Sequence, residues 1–195
     1  MRFNDVSFDK KVFLAIILLK FFPTIGRYTL KDILNLSEGV IRSLLKDLSE
    51  KNYLKTSKAG SELTSKGKEF FEKIIKSSKI IDIKEFKELK LISNKYCFGI
   101  HIEHPKKIFS ELEIRDEAIK KGAKGAITMI FKNNKLEIPS LSKRIIKIYS
   151  KELKNIESSF SLNEGDIIIL SFGDDKWRTL EGGISAAISL INLSK

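Results

Sequence analysis

The stretch that decides the fold of this chain is residues 27–66, which read RYTLKDILNLSEGVIRSLLKDLSEKNYLKTSKAGSELTSK. Apolar residues in its central part recur at positions i, i+3, i+4 and i+7, namely Ile41, Leu44, Leu45 and Leu48. This spacing gives a helix one buried stripe and predicts a helix over residues 38–51. Ser37 stands directly before it and is a suitable N-cap.

The residues upstream predict two further helices. An apolar run in residues 12–20 is followed by Pro23, which ends a helix. Residues 26–29 then read as a short connection, and a second helix is expected over residues 30–35. The pair Leu36-Ser37 is left as the turn before the helix at 38–51.

Downstream the period changes from that of a helix to that of a strand. Residues 53–56 and 61–64 are short strand-like runs on either side of a turn that ends in glycine, which predicts a β-hairpin. Thr64 can cap a further helix over residues 66–76. The order helix, helix, turn, helix, hairpin, helix is that of a winged helix-turn-helix.

In such a module the second helix of the pair enters the major groove of DNA, which is wide enough to admit it. Arg42 is the residue of this helix able to make a bidentate contact to guanine, and Lys58 lies at the tip of the wing. The predicted DNA-binding residues are Arg27, Lys31, Ser37, Glu38, Gly39, Arg42, Ser43, Lys46, Lys58 and Ser61. The alternative is that the basic residues merely keep a helix face solvated.

The balance of charge favours a polyanionic partner. The chain has 36 Lys and Arg against 25 Asp and Glu, a formal net charge of +11. Residues 1–80 hold 16 basic and 9 acidic residues, net +7, whereas residues 81–195 hold 20 and 16, net +4. Basic residues displace counterions from phosphates, so the N-terminal part is the expected DNA-binding part. Lys-rich usage from an AT-rich genome or a thermophile's surface is an alternative reading of the same charge.

Composition excludes several classes of protein. Hydrophobic residues make up 42% and charged residues 31%, which is typical of a globular chain and not of a disordered one. The apolar run at 12–19 is too short to span a bilayer, and no secretory signal pattern surrounds it. The single cysteine, Cys97, fits a reducing compartment. We expect a cytoplasmic protein without a membrane segment.

The polar, Lys-rich stretch 77–88 is the expected domain boundary, so a DNA-binding domain covers residues 1–80 and a second domain covers 81–195. In the second domain we predict strands at 90–102, 126–131, 136–138, 144–149 and 166–172, and helices at 110–121, 151–158 and 180–193. Alternating strands and helices favour a layered α/β structure. The predicted fold class is therefore α+β, an N-terminal winged helix-turn-helix followed by a small α/β sandwich.

Three groups of residues in the second domain have side chains that could form a site. A possible effector-binding group follows the most apolar strand and precedes a helix, where open α/β sheets bind ligands: Asp174, Asp175, Trp177 and Arg178. A plain surface turn is the alternative there. A possible metal-ligating group has no paired-ligand spacing, so we expect no metal: Cys97, His101, Glu103 and His104. The third group, residues 115–117, reads either as a charge cluster at a helix start or as an intersubunit ion pair.

The chain also resembles archaeal winged-helix transcriptional regulators. The segments that carry the resemblance are Gly26-Arg27-Tyr28-Thr29-Leu30, Leu36-Ser37-Glu38-Gly39-Val40-Ile41-Arg42-Ser43-Leu44-Leu45, and Ser57-Lys58-Ala59-Gly60 with Leu63-Thr64-Ser65-Lys66-Gly67. The last of these is similar to multiple-antibiotic-resistance-type winged helices. With residues 114–118, 122–126 and 165–166, the whole chain resembles an archaeal group that fuses this module to a C-terminal domain of unknown function. The resemblance implies DNA binding and brings no known ligand.

The sequence therefore predicts a DNA-binding transcription regulator, a homodimer that reads a pseudo-palindromic operator in double-stranded DNA. We expect no enzyme activity and no cofactor, and a small-molecule effector is a further possible partner. The dimer contact is expected in the second domain or on the helix that carries Phe70, Phe71, Ile74 and Ile75. The alternatives are an enzyme with a regulatory winged helix and a protein-interaction module.

Overall fold

A computed structural model describes residues 15–21, 24–34, 36–77, 79–92, 94–105 and 110–193. Its contacts divide the chain into two compact units, Met1–Ile74 and Ile75–Lys195. Both units mix helices with antiparallel strands. This is consistent with the predicted α+β class.

The first unit consists of helices and one β-hairpin. Its elements are α1, which includes residues 15–21, α2 (Arg27–Leu34), α3 (Glu38–Glu50), β1 (Leu54–Ser57), β2 (Gly60–Leu63) and α4 (Ser65–Ser77). The prediction of a capping serine is confirmed, because the Ser37 side chain accepts a hydrogen bond from the Val40 N–H at 3.4 Å. The buried stripe of α3 is also confirmed, with Ile41, Leu44 and Leu48 buried and Leu45 half-buried.

The second unit is built on one sheet. Its elements are β3 (Ile80–Phe86), β4 (Tyr96–Ile102), α5 (Glu111–Lys120), β5 (Gly125–Lys132), β6 (Lys135–Glu137), α6 (Lys143–Ile148), α7 (Ser150–Ser159), β7 (Ile167–Gly173) and α8 (Lys176–Leu193). The strand order is β3-β4-β7-β5-β6, and every neighbouring pair is antiparallel. The last strand in the chain is therefore the middle strand of the sheet.

Helices cover both faces of this sheet. On β4 the Ile100 side chain would meet a Cβ placed on Gly183 of α8, whereas a Cβ on the neighbouring Gly99 would meet Phe86 and Phe160. Neighbouring residues of a strand point to opposite faces, so α8 and Phe160, which ends α7, lie on opposite sides. α5 packs against α8 and β5. The layers are those of the predicted sandwich, but the sheet is antiparallel throughout.

Several sequence-based boundaries were wrong. The strand expected over residues 90–102 begins only at Tyr96. Residues 80–86 form β3 within the stretch that was expected to be a polar linker. Residues 144–149 were expected as a strand, but residues 144–148 belong to α6 and Tyr149 is the residue that follows its end. α2 begins at Arg27 and not at Leu30, so Arg27, Tyr28 and Thr29 are helical instead of forming a connection. In the part of the chain that the structure describes, no helix is long and apolar enough to cross a bilayer.

A buried carboxylate, that of Asp166, joins three segments of the second unit. Its Oδ2 atom lies 2.8 Å from His101 Nε2 on β4 and accepts the Asn163 backbone N–H at 2.9 Å. Its Oδ1 atom accepts the His104 backbone N–H at 3.2 Å. The His101 and Asp166 side chains are almost fully buried, at 1% and 3% exposed. A buried charge is tolerated when its oxygens are satisfied in this way.

Asp166→Asn is expected to lower the free energy of unfolding by about 2–4 kcal/mol, because the new amide NH₂ faces a donor and the charge-assisted bonds are lost. Urea denaturation of the full chain measures the change. Asp175→Asn is the matched control: Asp175 accepts the Arg178 N–H at the start of α8, and asparagine caps helices as well as aspartate does. Equal losses of unfolding free energy in the two variants would contradict a special role for the buried Asp166 carboxylate.

Burial also protects the cysteine. The Cys97 side chain lies in the apolar cluster between the sheet and α7, and burial raises the pKa of its thiol to about 12 from an ordinary value of 9.0. We expect an aromatic disulfide reagent at pH 8 to label the native chain far more slowly than the chain in guanidinium, since the thiolate must be exposed to react. As pH rises past 9, only the unfolded thiol ionises, so this group removes stability at alkaline pH. Rapid labelling of the native chain would disprove the burial.

Candidate nucleic-acid interface

The exposed face of α3 carries the residues predicted to meet DNA. The Arg42 and Lys46 side chains are 65% and 76% exposed, and Ser43 between them is also exposed. The opposite stripe of the helix is buried, which fixes the direction of this outer face. The structure thus brings Arg42, Ser43 and Lys46 together on one solvent-facing surface.

Glu38, at the first position of α3, forms ion pairs with two arginines. Its Oε1 atom lies 2.7 Å from Nη2 of Arg42, one helical turn further on, and 3.9 Å from Nη2 of Arg27 on α2. An acidic residue in the first helical turn is also favoured by the helix dipole. The three charges form one chain across the junction of α2 and α3. Lys46 is paired more loosely, 3.7 Å from Glu50.

Arg27 has a second partner in the neighbouring Tyr28. Arg27 Nη2 donates to the Tyr28 hydroxyl at 2.9 Å, and the guanidinium carbon lies 4.8 Å from the ring centroid. The hydrogen bond to Tyr28 is the main cause that raises the pKa of Arg27. The guanidinium is thereby held at the surface of α2 in its charged form, and Lys31 lies half-buried at the last turn of the same helix.

The hairpin is fastened to α4 by a short motif, Thr64-Ser65-Lys66-Gly67. Thr64 Oγ1 accepts the Gly67 N–H at 3.0 Å and donates to the Asn52 carbonyl at 2.7 Å. Any Cβ at residue 67 would collide with the Tyr53 carbonyl, so glycine is required there. Tyr53 also stacks on Phe70 with ring centroids 4.2 Å apart. These contacts set the hairpin at a fixed angle to α4, and the predicted Thr64 cap is confirmed.

The tip of the hairpin presents one lysine to solvent. Lys58 is exposed in the two-residue turn between β1 and β2, and the Ser57 hydroxyl accepts the Ala59 N–H at 3.1 Å to shape that turn. Ser61 is different, because it is only 2% exposed and its N–H donates to the Ile25 carbonyl at 3.0 Å. The prediction that Ser61 contacts DNA was therefore wrong, since the residue lies inside the small sheet.

Two further residues of this surface were not predicted. Tyr28 is 58% exposed and Val40 is 37% exposed, and these are the exposed large apolar side chains among the described residues of the first unit. Val40 lies beside Gly39 at the start of α3, where an apolar group can contact a thymine methyl. The helical period already placed Val40 off the buried stripe, and that signal could have found it.

The predicted dimer helix is used differently. On α4, Phe71 is buried and Phe70 stacks on Tyr53, so both rings serve the first unit itself. The Ile74 and Ile75 side chains lie outside the described part of the chain. Neither phenylalanine is left as an open apolar surface for a partner.

The residues predicted for an effector site have local contacts. The Asp174 carboxylate is hydrogen-bonded to Lys124 Nζ and to Asn94 Nδ2, and the bond to Lys124 is the main cause that lowers the pKa of Asp174. Asp175 caps α8, and Arg178 lies 3.8 Å from Glu181. Trp177 is 5% exposed, so its ring does not line an open pocket as predicted.

The described residues of the second unit do line a cleft elsewhere. It has a volume of about 360 Å³ and lies between the first half of α5, the outer edge of β5 and residues 138–141. The residues considered as metal ligands are not gathered around it. Cys97 and His101 are buried on the α7 side of the sheet, and no metal-like cluster of His, Cys, Asp or Glu is found among the described residues.

The chain is thus a protein of two units, a helical unit with a hairpin and a mixed unit on an antiparallel sheet. Residues 92–190 match the model of the domain of unknown function DUF4443, and the chain belongs to that family. Residues 11–69 match the PH0730-like N-terminal domain. Strand β3 falls between the two matched ranges. The predicted C-terminal domain of unknown function agrees with the first match.

Solved structures include a relative that spans both units. This is the hypothetical protein PH0730 from Pyrococcus horikoshii OT3, which is 26% identical, with 95% of this chain and 92% of that chain covered and a TM-score of 0.61. No curated protein matches the chain. The two units therefore occur together in a second protein, which is described as hypothetical.

Gly39 has no structural reason to be glycine inside this chain, because a Cβ there would meet no atom within 4 Å. Gly39→Ala is expected to raise the free energy of unfolding by up to about 1 kcal/mol through its higher helix propensity. If the interface closes on a duplex at this point, the same variant binds DNA more weakly. Chemical denaturation and duplex titration of one preparation separate the two effects. A less stable variant would contradict the open space at residue 39.

Proposed function

We propose that the first unit is a winged helix-turn-helix that binds double-stranded DNA, and that the chain is a transcription regulator acting as a homodimer. The observation that carries the proposal is the outer face of α3, where Arg42, Ser43 and Lys46 are exposed opposite a buried stripe. The hairpin β1–β2 takes the role of the wing, with Lys58 at its tip.

Charge supports this assignment. Residues 1–80 carry a net charge of +7. Their basic side chains include those on α2, on α3 and in the hairpin turn, which are close together in the sequence. In the proposed complex Arg42 contacts a guanine edge, Ser43 and Lys46 contact bases or phosphates, and Arg27, Lys31 and Lys58 contact the backbone. Ser37 and Glu38 act from the start of α3, Ser37 as its cap and Glu38 as the partner of Arg42.

In the proposed recognition, Arg42 exchanges its hydrogen bond to Glu38 for contacts with DNA. In the free chain its carboxylate occupies the hydrogen-bonding edge of Arg42, 2.7 Å away. A guanine edge offers the same guanidinium two acceptors in the bidentate geometry that arginine prefers. A phosphate can also pair bidentately with arginine, but its negative charge is repelled by the neighbouring Glu38 carboxylate, whereas a guanine edge carries no net charge. Glu38 would therefore lower non-specific binding more than specific binding.

A regulator of this kind reads a pseudo-palindromic operator through two copies related by a two-fold axis. The second unit is the proposed site of dimerisation, and an effector that binds it would change the operator affinity. A role on DNA would place the chain in the cytoplasm. Ligand sensing at Asp174, Asp175 and Arg178 stays a prediction.

Arg42→Ala with Lys46→Ala is expected to weaken binding to the selected duplex by on the order of 2–4 kcal/mol and to reduce the steepness of the salt dependence. Fluorescence anisotropy at several stated salt concentrations gives both quantities. Lys151→Ala with Lys154→Ala is the matched control, since it removes two exposed positive charges from α7 in the other unit. Equal losses of affinity in the two double variants would show that net charge alone explains the effect.

The duplex itself comes from selection of bound DNA from a random library by the full chain. A reproducible palindrome supports both the reading of DNA and the two-fold symmetry. Recovery of no sequence, with unchanged affinity in the Arg42 and Lys46 variant, would overturn the proposal. That outcome would favour the protein-interaction alternative, for which the exposed Tyr28 and Val40 offer contact area.

A further inference from the structure

The cleft of the second unit runs along a part of β5 whose backbone is not paired on that side. The Phe131 N–H donates to the Asp166 carbonyl at 2.8 Å, on the side of β5 that faces β7. Backbone groups alternate in direction along a strand, so those of Ala126 and Thr128 point away from β7. There β6 pairs only with Ile130–Lys132, and the structure describes no other strand on that side. The cleft therefore offers both N–H and C=O groups to a ligand.

Thr128 adds a hydroxyl to the lining of the cleft. The residue is only 2% exposed, and it lies in the wall between β5 and α5. The structure describes no hydrogen bond to this hydroxyl, whereas buried hydroxyls in proteins are normally hydrogen-bonded. A buried polar group without a protein partner is expected to bond to a molecule that enters the cleft.

Helix α5 contributes one charge of each sign. Glu111 and Arg115 are four residues apart, which places them on one face of the helix, and both line the cleft. Arg115 is turned to its exposed neighbour Asp116, with 3.1 Å between Nη2 and Oδ1, and such a surface pair is weak. None of the ion pairs in the described part of the chain involves Glu111. Both side chains can therefore take charged groups of a ligand.

The remaining wall is largely apolar. Its apolar side chains are Leu112, Ile127, Ile138 and Leu141, of which Ile138 is buried and Ile127 and Leu141 are half-buried. The volume of about 360 Å³ lies at the lower end of the range of ligand cavities, roughly 300–1,000 Å³. Size and lining together favour a small ligand with an apolar group and two opposite charges.

We propose that this cleft binds a free α-amino acid with an apolar side chain. Arg115 and the hydroxyl of Thr128 hold its carboxylate together with an N–H of the β5 edge, and Glu111 holds its ammonium group. The apolar wall receives its side chain. A plain carboxylic acid would place a second negative charge near Glu111, and a plain amine would leave Arg115 without a new partner. Binding does not depend on DNA, whereas a role of the amino acid as effector rests on the proposed function.

The test is isothermal titration calorimetry of the full chain without DNA. The ligands are L-leucine, L-isoleucine, L-valine and L-methionine, and at least one is expected to bind saturably at one site per chain. Analogues that lack one charge are the matched ligand controls, for leucine 4-methylpentanoate and 3-methylbutylamine. Each analogue is expected to bind roughly tenfold more weakly or worse, because it loses one charge-assisted contact.

Two variants test the assigned side chains. Thr128→Val and Arg115→Leu are each expected to weaken binding roughly tenfold or more. The Thr128 hydroxyl makes no hydrogen bond in the free chain, so Thr128→Val should leave the urea midpoint unchanged or higher. A merely structural role would lower that midpoint. Lys154→Leu on α7 removes an exposed charge elsewhere in the same unit and should bind as the parent does.

The absence of binding by all four amino acids at millimolar concentrations would overturn the proposal. Analogues that bind as tightly as the amino acid would overturn the assignment of two opposite charges, and normal binding by both variants would overturn the site. Arg115→Leu lies on an exposed helix face, so it tests the site even if Thr128→Val does not fold. If an amino acid binds as expected but the chain binds no duplex, the proposed function fails and this site stands.

Discussion

The second unit depends on how the start of β7 is fixed. This strand is formed late in the sequence, yet it must enter between β4 and β5, which both precede it. Asp166 sets its position, because one carboxylate binds His101 on β4 and the backbone of His104 and Asn163. Both faces of the strand are covered, so Ile167–Gly173 is almost wholly buried. The cost of burying the charge is offset by the register that its hydrogen bonds impose.

Placing β7 in the middle has a consequence at the far edge. β5 becomes the strand next to last, and only the three-residue β6 follows it across the sheet. A short edge strand limits unwanted pairing in many proteins. Here β6 pairs only with Ile130–Lys132, and the rest of β5, with Ala126 and Thr128 buried, lines the cleft beside the first half of α5. The position of this cleft thus follows from the sheet order that β7 creates.

Sequence patterns predicted elements well where one periodicity and a cap agreed. α3, with Ser37 before its apolar stripe, is of this kind. β3 failed because its buried residues, Ile80, Ile83 and Phe86, are three apart, which hides the period of two. A bulge lies between Ile80 and Asp82, and Ile83 and Phe86 pair with Ile100 and Cys97, which point to opposite faces of the sheet. The prediction at α6 failed because its run of β-branched residues is typical of a strand, although the segment forms a short helix in the folded chain.

The candidate interface shows the same division between pattern and partner. Solvent exposure of Arg42, Ser43 and Lys46 followed from the helical period, but the burial of Ser61 depends on Ile25, a residue 36 positions earlier that pairs with it. The pairing of Glu38 with both Arg42 and Arg27 also joins two helices across their turn. A pattern within one helix cannot show a contact that joins two helices. Charge pairs at a surface are weak, so Glu38 can release Arg42 and Arg27 when a stronger acceptor is present. The same contact can therefore order the surface of the free chain and still leave both arginines able to bind.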